Sequence, residues 1–317
     1  IKDCKMAGEA QGMLKSKPRV AMCFENAFSG DVLKLADGWS FEAEGGNILM
    51  PSYKFIPGSI IDDKIAGNCI DGELERLLDQ LDEKDLIQCY GCDFPGGLGI
   101  AFGSRYAVLW EFYIDELPPK LSLFIETGEL RSLYLNGIKI DGQIEKVKLW
   151  GINNGSVDVT SVVRKGYNKL LIVAEMPKWA MPHKIPTSFL YGEFLVDEGR
   201  IISKRTDIKP LPWNNQGYPY FSGNGIYRTD VQINCKFSKA LIRLDTQDAV
   251  NIFVNGKLAA KRLWPPYEAD ITEFLREGDN RIELEFTSTY ANLMGCPMDS
   301  GLYNPPEIIL FEGGDGK

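Results

Sequence analysis

Along much of the chain, apolar residues alternate with polar ones or gather in short unbroken runs, the patterns left by half-buried and fully buried strands. Residues 106–114 read YAVLWEFYI, residues 121–125 read LSLFI, and residues 169–174 read KLLIVA. Residues 249–254 read AVNIFV, and residues 281–286, RIELEF, alternate cleanly. Gly, Pro, Asn and Asp bound these runs, as they bound the strands of sandwiches and barrels. Asn136-Gly137 and Asn255-Gly256 each follow a strand directly. Both residue types tolerate positive φ, which predicts two-residue hairpin turns. One segment has a helical period. In residues 71–84, DGELERLLDQLDEK, the side chains of Leu74, Leu77, Leu78 and Leu81 share a face opposite a charged one. This predicts a single amphipathic surface helix inserted between strands. The fold class is therefore all-β with one short helix.

The patterns repeat. Residues 121–137 read LSLFIETGELRSLYLNG and residues 240–256 read ALIRLDTQDAVNIFVNG, both giving strand, turn, strand and Asn-Gly. Downstream, VDVTSVVRKGYNKLLIV at 157–173 parallels ADITEFLREGDNRIELE at 269–285. Asp158, Thr160, Gly166 and Asn168 match Asp270, Thr272, Gly278 and Asn280 at identical spacing. The copies lie about 110–120 residues apart, the size of a whole sandwich domain rather than of a solenoid repeat. An Asp-x-Thr pair caps a turn through its side-chain oxygens, Gly permits a left-handed backbone, and Asn bonds to nearby backbone. An architectural role is expected for all of them.

Length and charge narrow the picture. The 317 residues suit two or three domains. A formal charge of −9 disfavours nucleic acid and anionic membrane surfaces. No apolar run reaches the length of a membrane span. Ile1-Lys2-Asp3-Cys4 shows neither Met nor a signal-peptide pattern, as expected of a segment of a longer protein. The seven cysteines are scattered and odd in number, a poor disulfide framework that leans toward free thiols and a reducing compartment without deciding it.

The order of Asn-Gly, Asp-x-Thr and Gly-x-Asn followed by an alternating strand resembles galactose-binding-like β-sandwich domains of glycoside hydrolases, those of family 2 and of the family 106 α-L-rhamnosidases. The second copy is the closer, with Gly217-Tyr218-Pro219-Tyr220-Phe221-Ser222-Gly223 and Tyr227 leading in and Leu263-Trp264-Pro265-Pro266-Tyr267 before Asp270. FLYGEFLV at 189–196 resembles the strand connecting two such sandwiches, and Gly38-Trp39 with Asn47-Ile48-Leu49 resembles the strand that enters the first. The resemblance implies two tandem antiparallel jelly-roll sandwiches at 37–185 and 186–312, a connecting segment at 1–36 and a tail at 313–317. It also implies an upstream catalytic domain in the same chain, since no eightfold βα alternation is present to form a barrel.

Chemistry-bearing groups are sparse. A glycosidase needs two carboxylates flanking one bond. Asp62-Asp63 and the group Asp79, Asp82, Glu83 and Asp85 are near in sequence but read as a loop and a solvated helix face. The one histidine, His183, has no Gly-x-Ser-x-Gly elbow to serve. Cys89 and Cys92 form a lone C-x-x-C, without the further ligands zinc needs and with a helix-breaking Pro95-Gly96-Gly97 after it. GGLGIAFG at 96–103 lacks the Lys-Ser/Thr of a phosphate loop and reads as a loop before a strand. No catalytic residue, metal or cofactor is assigned. Aromatic rings stack on sugar C–H faces, which leaves Trp264, Tyr267, Trp213, Tyr218 and Tyr220 as candidate carbohydrate-binding residues, with Trp179 in a Pro-flanked loop. Packing within the sandwich is the simpler expectation for the Trp264 group. Three functions follow in order: an accessory region of a glycoside hydrolase, a carbohydrate-binding module with a loop-end site, and an autonomous glycan hydrolase.

Overall fold

The computed structural model describes residues 30–56, 88–90, 105–148, 153–175, 186–205, 207–294 and 298–312. The predicted helix at 71–84 lies outside them. Among the described residues the regular structure is strand, with short 3₁₀ turns, arranged in four sheets. Two sheets face each other across each of two separate cores, so the chain forms two β-sandwiches.

In the first sandwich a five-stranded sheet runs Glu145–Lys146, Asn154–Asp158, Leu121–Glu126, Ser188–Gly192, Asn47–Leu49. It opposes an eight-stranded sheet centred on Arg105–Ile114 and Gly166–Glu175, which pair antiparallel along their whole lengths. Tyr106, Val108, Trp110, Phe112 and Ile114 point into the core against Leu121, Leu123, Ile125 and Leu190. Each such side chain contributes about 1.5–3 kcal/mol on burial. Ala107 and Leu109, on the other face of the same strand, are buried as well. That is why YAVLWEFYI runs apolar without alternating.

The second sandwich packs a four-stranded sheet (Asp31–Lys34, Asn304–Phe311, Lys239–Asp245, Glu268–Asp270) on a six-stranded one (Asp207–Ile208, Trp39–Ala43, Asn224–Ile233, Gly278–Thr287, Ala249–Val254, Lys257–Arg262). Here RIELEF alternates, with Ile282, Leu284 and Phe286 in the core.

The expected boundaries at 37 and 186 do not match the strand pairing. Trp39–Ala43, expected to enter the first sandwich, pairs with Asn224–Ile233 in the second. Trp39 and Phe41 share a face and lock into the second core against Tyr227. Asp31–Lys34, expected in a connecting segment, pairs with Asn304–Phe311. Conversely, Ser188–Gly192 pairs with Leu121–Glu126 in the first sandwich. Arg200–Ile202 lies parallel to Arg105–Ile114, a short departure from the expected antiparallel pairing. From residue 31 the path thus runs in the second sandwich, crosses to the first, and returns after residue 202.

The matched motifs make the same bonds in both sandwiches. Asp158 Oδ1 accepts from Thr160 N at 2.9 Å and Thr160 Oγ1 accepts from Leu121 N at 2.9 Å. Asp270 and Thr272 repeat this, with Thr272 N and Ala240 N as donors at 3.0 Å each. The threonine hydroxyl and N–H favour the charged carboxylate, so both Asp158 and Asp270 titrate below the usual range. Asn168 Oδ1 accepts from Arg164 N at 2.9 Å and Asn136 Nδ2 at 2.8 Å, and its Nδ2 donates to the carbonyls of Arg164 and Gly166. Asn280 does the same with Arg276, Asn255 and Gly278. Asn136 and Gly137 stand at φ 48° and 81°, Asn255 and Gly256 at 54° and 76°. Both-positive pairs are the signature of the type I′ hairpin turn.

Candidate functional site

Four connections of the second sandwich gather at one end: residues 211–223, 246–248, 263–267, and 288–294 with 298–303, which precede or link its long strands. This is the end that carries Trp264, Tyr267, Trp213, Tyr218 and Tyr220.

The structure separates these aromatics. Trp213 opens a 3₁₀ turn, Trp213–Asn215, and is 0% exposed. Its ring lies 5.4 Å from that of Phe41 and 5.6 Å from that of Phe221. Two glycines make room for it. A Cβ on Gly225 would sit 2.6 Å from Trp213 Cζ3, and one on Gly301 would sit 2.6 Å from Cε3. Tyr218 is 3% exposed, with its ring 4.8 Å from that of Phe41. Burial pushes its hydroxyl up to about 12. Neither Trp213 Nε1 nor Tyr218 Oη has a hydrogen-bond partner among the described residues. Both side chains belong to the second core. Their polar neighbours, which suggested a surface, are occupied with the loop itself. Asn214 Nδ2 and Asn215 Nδ2 each donate to Asp299 Oδ1 at 3.3 Å, and Asn214 Oδ1 accepts from Ser300 N at 3.2 Å.

Tyr220 is half-buried and packs in the seam between the sandwiches, against the first core and against the cluster of Ile48, Phe124, Phe189 and Leu293. Phe124 and Phe189 stack there at 4.6 Å, on the outward face of the five-stranded sheet, and Leu293 comes from residues 288–294, which follow the second-sandwich strand Gly278–Thr287. Tyr267 is 7% exposed and belongs to the second core. Trp264 alone of the five projects outward, at 70% exposure, beside the exposed Leu263.

The sequence reading missed Asp248. It lies in the connection between Lys239–Asp245 and Ala249–Val254, half-buried among these loops. Burial raises its pKa to about 6, opposed by a hydrogen bond that its Oδ2 accepts from Gly301 N at 2.7 Å. Its charge in turn helps raise Tyr267 and Tyr227, for both of which burial is the larger cause. A carboxyl that holds or releases a proton near neutrality is a hydrogen-bond partner of either sense for a ligand hydroxyl. No local signal marks it, because Gly301, Tyr227 and Tyr267 reach it from distant parts of the chain.

Asp62, Asp63, Asp79, Asp82, Glu83, Asp85, Cys92, residues 96–103, Trp179 and His183 lie outside the described residues. Cys89 lies on the strand Gln88–Tyr90, which pairs with Ser52–Ile56. Among the described residues, no group of His, Cys, Asp or Glu side chains converges as a metal site.

No protein-family model and no curated protein matches the chain. Among solved structures, a rhamnosidase from Novosphingobium sp. PP1Y is similar over 75% of this chain and 26% of its own, at 16% identity and a TM-score of 0.30. An α-L-rhamnosidase from Streptomyces avermitilis, in complex with L-rhamnose, is similar over 86% of this chain and 27% of its own, at 12% identity and a TM-score of 0.36. A β-glucuronidase from Ruminococcus gnavus is similar over 79% of this chain and 39% of its own, at 10% identity and a TM-score of 0.30. All three are glycoside hydrolases, and the chain spans about a quarter of the length of each rhamnosidase. Likeness of this strength says nothing about chemistry.

Proposed function

We propose that this chain is a non-catalytic accessory region of a glycan-degrading enzyme, one that supports or orients a catalytic domain upstream in the same polypeptide. The observation that carries the reading is the use made of the loop-end aromatics. Trp213, Tyr218 and Tyr267 fill the second core, and Tyr220 and Leu293 lock the two sandwiches together. Rings placed this way build a rigid body rather than a sugar platform. The motif resemblance to galactose-binding-like domains supports the same reading, with the two sandwiches as copies of one repeated unit. The test is turnover of a panel of aryl-glycosides by the purified chain. None is expected to be hydrolysed. Hydrolysis that disappears when one carboxylate is replaced supports the autonomous hydrolase instead.

A second reading, a carbohydrate-binding module, is favoured by Trp264. This ring stands exposed on a loop that Pro265 and Pro266 stiffen, so little ordering entropy is lost on stacking against a sugar. Trp264→Ala is expected to leave the melting temperature unchanged, as the ring packs on little. Glycan-array binding by the native chain that is lost in this variant supports the module. No binding before mutation leaves the accessory reading standing.

A further inference from the structure

A cleft of about 600 Å³ opens along the edge of the six-stranded sheet, and Trp264 is not among the residues that line it. One wall is the approach to Trp39–Ala43, and the other is formed by Arg205 and residues 207–212. This second wall is held from within. Its strand Asp207–Ile208 pairs with Ser40 and Trp39. Gln216 Oε1 accepts from Lys209 N at 2.8 Å, and Gln216 Nε2 donates to the carbonyls of Lys209 at 3.1 Å and Leu211 at 2.9 Å. The walls are therefore set before any ligand arrives, which lowers the ordering cost of binding.

Asp37, Arg205, Asp207 and Lys209 line the mouth, all exposed. Opposite charges within reach commonly pair on a protein surface. These four side chains make no hydrogen bond or ion pair with any described residue. Tyr218, whose ring belongs to the second core, forms the floor beneath them.

We propose that this edge cleft is a binding site for a short neutral oligosaccharide. Two carboxylates and two cations around one mouth sum to no net charge, so a charged ligand gains nothing from the field as a whole. What the mouth offers is alternating strong acceptors and strong donors. Vicinal hydroxyls, each of which donates and accepts, satisfy both: a carboxylate takes two hydroxyl protons, and a guanidinium donates to two hydroxyl oxygens. The volume lies within the range of small-ligand sites, about 300–1,000 Å³. A peptide bound by strand addition is a poorer fit, because the available edge, Asp207–Ile208, is a two-residue strand. The site requires neither Trp264 nor an attached catalytic domain, so it stands apart from the proposed function.

The experiment is calorimetric titration of the full chain with neutral trisaccharides of glucose, galactose, mannose and rhamnose, beside a uronic-acid trisaccharide and a hexapeptide. At least one neutral trisaccharide is expected to bind. Arg205→Ala and Asp207→Ala are each expected to weaken it by about tenfold or more, the scale of one lost charge-assisted hydrogen bond. Both residues are exposed, so the melting temperature holds, and Trp264→Ala leaves the affinity unchanged. Three results overturn the proposal: no neutral trisaccharide binds; binding survives Arg205→Ala and Asp207→Ala but is lost in Trp264→Ala; or only the uronic-acid or peptide probe binds.

Discussion

Asn280 is buried, yet both atoms of its amide group are engaged twice over, by Arg276, Gly278 and Asn255. Asn280→Ala removes these four hydrogen bonds at once, each worth roughly 0.5–1.5 kcal/mol net. Urea unfolding is expected to show a loss of about 2–4 kcal/mol, large for one residue. Asp248 works in the opposite direction. Its folded pKa, about 6, lies above the ordinary 3.8, so the native state prefers the protonated form. Its stabilising contribution is complete below pH 3.8 and is lost as the pH rises through 6. Above that, the buried charge costs on the order of 2–3 kcal/mol. Asp248→Asn retains an oxygen for Gly301 N–H and removes the charge. It is expected to raise stability at pH 7.5 and flatten the pH dependence between about 4 and 6. Lower stability of the variant at pH 7.5 contradicts this assignment. The two residues also differ in legibility. Asn280 was readable because its partners lie within a short, repeated motif. Asp248 was not, because everything that desolvates it is remote in sequence.

At the level of elements, the strands and Asn-Gly turns were readable from period and punctuation, while the inward turn of the 211–223 loop was not. Asn214, Asn215 and Gln216 give that stretch a surface composition, but their amides hold the loop together and leave Trp213 to fill the slot beneath Gly225 and Gly301. Gly301 is needed twice over, for its φ of +82° and for the space the indole occupies. Gly301→Ala is expected to lower stability by more than about 2 kcal/mol and to shift tryptophan fluorescence as the ring is displaced. An unchanged melting curve and spectrum contradict the tight slot. Strand membership was equally hidden. Trp39 and Phe41 mark a strand, but only the aromatic core that receives them shows which sandwich it completes.

For the whole molecule, the all-β class and the paired sandwiches were legible, and the crossing of the chain between them was not, since pairing partners across the full length leave no local pattern. The crossing couples the two bodies. Asn47, at the start of the first-sandwich strand Asn47–Leu49, donates through Nδ2 to the carbonyls of Phe194 at 3.0 Å and Gly217 at 2.6 Å. Ile48, Phe124, Phe189 and Leu293 close the seam. Calorimetry is expected to show one unfolding transition whose calorimetric and van't Hoff enthalpies agree. Phe189→Ala is expected to lower its midpoint without splitting it, at about 3–5 kcal/mol for a buried phenylalanine. Two separate transitions in the native chain contradict this coupling.

The pairing of Asp31–Lys34 with Asn304–Phe311 has a consequence for the order of events during synthesis. Asp31–Lys34 waits for a partner at Asn304–Phe311, and Trp39–Ala43 waits for partners at Asp207–Ile208 and Asn224–Ile233. The other sandwich has all its described strands once residue 202 is out. At roughly 5–20 residues per second, Asp31–Lys34 stays unmatched for some 15–60 seconds before Asn304–Phe311 arrives. Trp39 and Phe41, which end in the second core, need shelter until their partners arrive, and the half finished first is the surface nearest to provide it.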